Sequence, residues 1–182
     1  MRIGIDISQV AYAGSGVARH VRNLVLEVMR QDKKNSYVLF GSSLRQLHVL
    51  KAFIAEAKAI SPEIKSVLLP LPQSALRFLW NSLHIVPVEW MTGPLDVFWT
   101  SDWTSPPLAS AKGVTTIHDL TVYRYPGQFD PVIVNVQKKR LEIAVRDYQI
   151  FFCDSETTKK DAQKYLGIDE KKLYVVYSGL TP

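Results

Sequence analysis

Two stretches carry residues whose types and spacing could do chemistry. The first is Ala13-Gly14-Ser15-Gly16-Val17. Two glycines within three residues allow a tight turn and bring backbone N–H groups close to a ligand. Val17, Val21, Leu24, Val25 and Val28 then recur at helical spacing. A helix that begins at such a turn presents free N–H groups and the positive end of its dipole, which suits a phosphate or another anion. The same glycines are equally explained by a strand turning into a helix. Two standard designs are excluded. The third glycine of a dinucleotide fingerprint would fall at Arg19, and Phe40-Gly41-Ser42-Ser43 offers no acid for a ribose. No Gly-Lys-Ser/Thr follows the glycines, so a Walker A loop is absent.

The second stretch is His118-Asp119, directly after the apolar run Val114-Thr115-Thr116-Ile117. A histidine there can donate a hydrogen bond to a sugar hydroxyl or exchange a proton near neutral pH. Asp119 can accept from hydroxyls or begin a turn. Thr100-Ser101-Asp102-Trp103-Thr104 is another polar tip, where Asp102 can orient an acceptor hydroxyl or cap the turn before Pro106-Pro107. Leu120 to Asp130 is long and aromatic. Phe129 reads as packing, while Tyr123 and Arg124 stay open as acceptor contacts. In Asp154-Ser155-Glu156-Thr157-Thr158, Ser155 or Asp154 reads most economically as a helix N-cap.

The elements that position these tips alternate. Strands are predicted over 2–7, 36–41, 64–69, 96–100, 113–118, 148–153 and 173–177, and helices over 17–28, 44–60, 131–145 and 155–166. Residues 74–91 are wide and apolar and predict a helix, with Pro87 either a kink or a first-turn residue of a second piece. Burial explains that stretch better than a membrane interface, because it lacks a lysine-rich face. The alternation and the apolar strands predict an α/β fold, Rossmann-like and doubly wound, with a mostly parallel sheet and helices on both faces. Ligands then bind at the carboxyl ends of the strands.

At 182 residues the chain is long enough for one well-buried domain and short for two, so 1–182 is read as a single domain. The net charge of +5 suits an anionic partner. No basic run interleaved with aromatics points to nucleic acid. The lone Cys153 excludes an intramolecular disulfide. His20, His48, His84 and His118 are scattered along the chain, so no metal site is expected. With neither an 18-residue apolar stretch nor a signal-peptide pattern, a cytoplasmic location is expected, with peripheral contact at the inner face of the membrane left open.

In order along the chain, Arg2-Ile3-Gly4-Ile5-Asp6, Gly14 to Leu24, Thr116-Ile117-His118-Asp119-Leu120 with Tyr125-Pro126, Cys153 to Asp161 and Val175-Val176-Tyr177-Ser178-Gly179 resemble the N-terminal domain of a family 4 (group 1) glycosyltransferase of the two-domain GT-B architecture. The resemblance implies retaining transfer of a sugar from a nucleotide-diphosphate donor to the hydroxyl of a sugar or lipid-linked acceptor, in cell-surface polysaccharide or glycolipid synthesis. It implies that Gly14, Ser15, Gly16 and Val17 lie against the donor diphosphate or the acceptor, and that His118 is the catalytic-site histidine reaching the transferred sugar. It leaves Asp119, Asp102, Tyr123 and Arg124 as acceptor-side candidates. It implies no metal and no cofactor, with helix N-termini and basic side chains offsetting diphosphate charge. Ser8 departs from an arginine common after the aspartate in related sequences. The chain stops near where an interdomain linker would begin, so the donor-binding C-terminal domain is expected to be absent and this chain inactive without it or a partner chain. A non-enzymatic, partner-binding module of the same fold is the alternative.

Overall fold

The computed structural model describes residues 1–177. Ser178 and Gly179, which contribute to the last motif, lie outside the described residues. Seven strands form one parallel sheet in the order β3-β2-β1-β4-β5-β6-β7: β1 Arg2–Asp6, β2 Ser36–Ser42, β3 Lys65–Leu69, β4 Val97–Ser101, β5 Lys112–Ile117, β6 Ile150–Cys153 and β7 Leu173–Val175. Each strand falls within a residue or two of its predicted place. The order steps outward from β1 in one direction and from β4 in the other, so the switch point lies between them.

Two-residue periodicity sends alternate side chains to opposite faces. Tyr37 and Leu39 of β2 join Ile5, Ile7 and Trp99 beneath helices α1 (Gly16–Gln31) and α2 (Leu47–Ile60). Val38 and Phe40 face the other way, against Phe98, Leu76 and the fully buried Trp80. Ile117, Phe151 and Cys153 pack under α6 (Pro131–Asp147) and α7 (Glu156–Leu166) through Leu141, Ala144 and Ala162. Burial of the apolar strands on both sides thus accounts for the doubly wound form.

Residues 74–91 do not form one continuous helix, and the second piece begins just after Pro87. A short helix α3 (Gln73–Arg77) runs into a π-helical turn (Phe78–Ser82), and only the brief α4 (Glu89–Thr92) follows. Side chains take over the backbone partners here. Trp80 Nε1 donates to Val86 O at 3.0 Å, and His84 Nδ1 lies 3.1 Å from Trp80 O. His84 and Val86 both adopt positive φ, and Pro87 disfavours helical geometry at Val86. Asn81 clamps the π turn to the β4 loop, donating to Trp103 O and accepting from Ser105 N. Glu89 closes the segment by accepting from the backbone N–H groups of Ala109, Ser110 and Ala111.

The long aromatic loop is also partly regular. It contains α5 (Thr121–Arg124) and a 3-10 turn (Pro126–Gln128) before Asp130 caps α6 by accepting from Val132 N. At the sheet, Gly113 admits Tyr148, whose hydroxyl donates to Pro106 O at 3.0 Å. A Cβ at Gly113 would meet the Tyr148 ring at 2.4 Å. Gly113→Ala should therefore destabilise the fold by about 1–3 kcal/mol, the usual cost of overpacking a core. Chemical denaturation checks this, and an unchanged midpoint would mean that the ring has room to move.

Candidate functional site

The site is built from the carboxyl ends of β1, β4, β5 and β6. Asp6 ends β1, Ser101 ends β4, His118 follows β5 and Asp154 follows β6. His118 is the centre. Its Nε2 lies 2.7 Å from Ser101 Oγ and its Nδ1 lies 2.7 Å from Asp154 Oδ2. Its carbonyl accepts from Thr158 Oγ1 at 3.2 Å. The His20 ring of α1 stands edge-on, with centroids 5.2 Å apart and planes at 86°. Burial lowers the pKa of His20, the neighbouring His118 lowers it further and Asp154 opposes both. Asp154 Oδ1 is buried and makes no hydrogen bond.

Asp154 is thus not the helix cap. Ser155 does that work, its side chain accepting from Thr158 N. The four histidines, scattered in sequence, are also not all scattered in space. His20, His118 and Asp154 offer ligand atoms within 4.8 Å of one another, a set able to hold a metal ion. Within that set His118 Nδ1 and Asp154 Oδ2 already stand at hydrogen-bond distance. Cys153 is buried, which pushes its thiol pKa up to about 12 and keeps it protonated.

The glycine turn joins β1 to α1 through a 3-10 turn (Ser8–Ala11). Gly14 has φ +96°, a left-handed conformation that glycine adopts without strain. Ser15 is the N-cap, its hydroxyl accepting from Ala18 N at 3.1 Å, and its own N–H donates to Tyr12 O. That leaves the N–H groups of Gly16 and Val17 at the open end of the helix.

Ser15 and Val17 also wall a cleft of about 350 Å³, with Gln9, Tyr12, Gln73, Arg77, Asp102 and Trp103. The Arg77 guanidinium lies 5.7 Å from the Trp103 ring centroid. Asp102 has φ +80° and accepts from Gln137 Nε2 at 3.0 Å. Behind Gln137, the buried Arg140 donates to Gln137 Oε1 and to Thr115 Oγ1, which ties the cleft wall to the floor of the sheet. A second groove, of about 550 Å³, runs on the other side of the turn, between Ser15, Arg19, Arg22 and Glu56.

The remaining candidates lie elsewhere. Asp119 is exposed, and its Oδ1 accepts from both the N–H and the hydroxyl of Thr121. Tyr123 packs towards α6 and α7, with Tyr165 6.2 Å and Lys138 5.4 Å away. Arg124 is exposed and faces Asp161 of α7 at 3.8 Å. No residue pattern in the sequence singles out Ser101, His20 or the pairing of Asp154 with His118. The one available signal was their place at the ends of strands or beside the glycine turn.

Asp6 is 2% exposed, accepting from Ser8 N at 2.9 Å and facing Thr104 Oγ1 at 3.4 Å. Burial raises its pKa, and its hydrogen bonds with Ser8 and Thr104 only partly offset that. A raised folded-state pKa favours the folded state at low pH, an advantage lost as pH rises through that pKa. Asp6→Asn keeps an acceptor without the charge. It should be more stable than the parent at pH 7, with the gap closing as pH falls through the raised pKa to the ordinary carboxylate range. Thermal melts across pH check this, and a gap that widens on acidification would show that the charge is compensated.

Among the described residues no helix is long and apolar enough to cross a membrane. No curated protein matches the chain. The sequence pattern of Glycosyltransferase Family 4 matches residues 14–182, from the glycine turn past the last strand. That match spans most of the chain, and the seven-stranded parallel sheet with its helices is a Rossmann-like α/β fold. The chain belongs to glycosyltransferase family 4, as an N-terminal domain of that family.

Proposed function

We propose that this chain is the acceptor-side half of a retaining glycosyltransferase. It would present an acceptor hydroxyl to a nucleotide-diphosphate sugar held by a second domain. The observation that carries the reading is the cleft at the switch point. Trp103 and Tyr12 supply aromatic faces, while Gln9, Gln73, Arg77 and Asp102 supply hydrogen-bonding groups. That mixture suits a sugar ring, whose C–H faces stack and whose hydroxyls need donors and acceptors. Ser101, on His118, is followed directly by Asp102, on the cleft wall. His118 would therefore meet the transferred sugar beside the bound acceptor.

The N–H groups of Gly16 and Val17, at the positive end of α1, would offset charge on the donor diphosphate without a metal. Phe78, Leu83 and Ile85 stand exposed after Arg77, an apolar rim suited to an acceptor carried on a lipid at a membrane surface. Synthesis of a cell-surface polysaccharide or glycolipid is the setting that fits such an acceptor.

The test is sugar transfer by the complete enzyme across a panel of nucleotide-diphosphate sugars. Trp103→Ala should raise the acceptor KM by about tenfold, the loss of one stacking face. His118→Ala should lower kcat by roughly tenfold or more, the loss of one transition-state hydrogen bond. An unchanged acceptor KM in the first variant would move the acceptor out of this cleft. Unchanged turnover in the second would take His118 out of the reaction.

A further inference from the structure

Ser101, His118 and Asp154 come from three adjacent strands. β4 pairs with β5 and β5 with β6, with Ser101 opposite Thr116 and Ile117 opposite Cys153. His118 and Asp154 therefore follow their strands at one level, and Ser101, two residues lower in the register, meets the His118 ring with its hydroxyl. His118 is held at Nε2 by Ser101, at Nδ1 by Asp154 and at its carbonyl by Thr158. Its side chain is 15% exposed, and Ser101 is 1% exposed.

The donor and acceptor inventory then fixes the proton. An ionised carboxylate only accepts, so Nδ1 must carry the hydrogen that bridges to Asp154 Oδ2. In a neutral imidazole the other nitrogen is then an acceptor. The Ser101 hydroxyl can rotate to donate to it. Asp154 makes its hydrogen bond through Oδ2 alone, since Oδ1 is buried without a partner. We propose that Asp154 and Ser101 are positioning residues for His118, holding its neutral ring with Nδ1 protonated and Nε2 as the hydrogen-bond acceptor.

The consequence for transfer rests on the reading of His118 as the residue that meets the transferred sugar. Held this way, Nε2 can accept from a hydroxyl in the cleft in exchange for Ser101. A histidine ordered by an acid on one nitrogen and a hydroxyl on the other has the donor–acceptor order of a hydrolytic triad. Ser101 is too buried to attack a substrate, so the arrangement orients rather than reacts.

The test reads the tautomer directly, by nitrogen NMR of the 15N-histidine-labelled protein. His118 of the parent should show a protonated Nδ1 and an unprotonated Nε2 in its neutral form. Asp154→Ala and the near-isosteric Asp154→Asn should both move the proton to Nε2. A parent ring protonated at Nε2 would overturn the proposal without any variant, and so would a tautomer that both folded variants leave unchanged. In the complete enzyme, Asp154→Asn should lower kcat on the order of tenfold with little change in KM, because geometry is lost and not binding. Partial recovery in Asp154→Glu would support positioning through the carboxylate. A shifted tautomer with normal turnover would leave the positioning intact and overturn the catalytic reading of His118, so the two fail separately.

Discussion

All seven strands run in one direction, and a parallel pair cannot be closed by a tight turn. Each return must cross a face of the sheet, and the crossovers share one hand. Every loop that follows a strand therefore opens at the same edge. The reversal of order between β1 and β4 sends the crossovers to opposite faces and parts the loops at that edge. The gap this leaves is where Gln9, Tyr12, Asp102 and Trp103 wall a cleft.

That geometry sets the height of the chemistry. Asp6, Ser101, His118 and Asp154 are each the last residue of a strand or the first after it. Parallel pairing brings these strand ends to one edge of the sheet within a few residues of one another, so side chains far apart in sequence meet without a dedicated scaffold. Beneath them the sheet carries buried polar groups, among them Thr100, Thr115, Thr116 and Arg140. Thr100 Oγ1 donates to Thr115 Oγ1, which also accepts from Arg140 Nη1. Burial lowers the pKa of the Arg140 guanidinium, against a smaller opposing effect of Asp102, Tyr148 and Tyr123. A buried cation held mainly by neutral groups costs stability. It also fixes Gln137, and through it the strained Asp102 at φ +80°. Strain of this kind at a cleft wall is tolerated only where the surroundings over-determine it.

Much of this was legible in the chain. The strands read as short apolar runs because both faces are buried. The Gly14 turn read as a turn because only glycine adopts its φ without strain. Residues 74–91 misled because apolar content says that a segment is buried, not what form its backbone takes. There Trp80 and Asn81 bind main-chain groups and displace the helical ladder. Asp154 read as a cap because an Asp-Ser pair before a helix offers two caps of similar quality. The sequence could not say that a histidine would claim one of them.

The sequence by itself determined the class of fold, the edge at which the strand-end loops gather and the family. Those depend on local periodicity, turn chemistry and the order of motifs, all written along the chain. Only the tertiary structure decided which polar residues meet. His118 reaches Ser101 across 17 residues and Asp154 across 36, because β5 lies between β4 and β6. Strand order and register follow from the packing of the whole core, and no local preference of His118 or Asp154 encodes them.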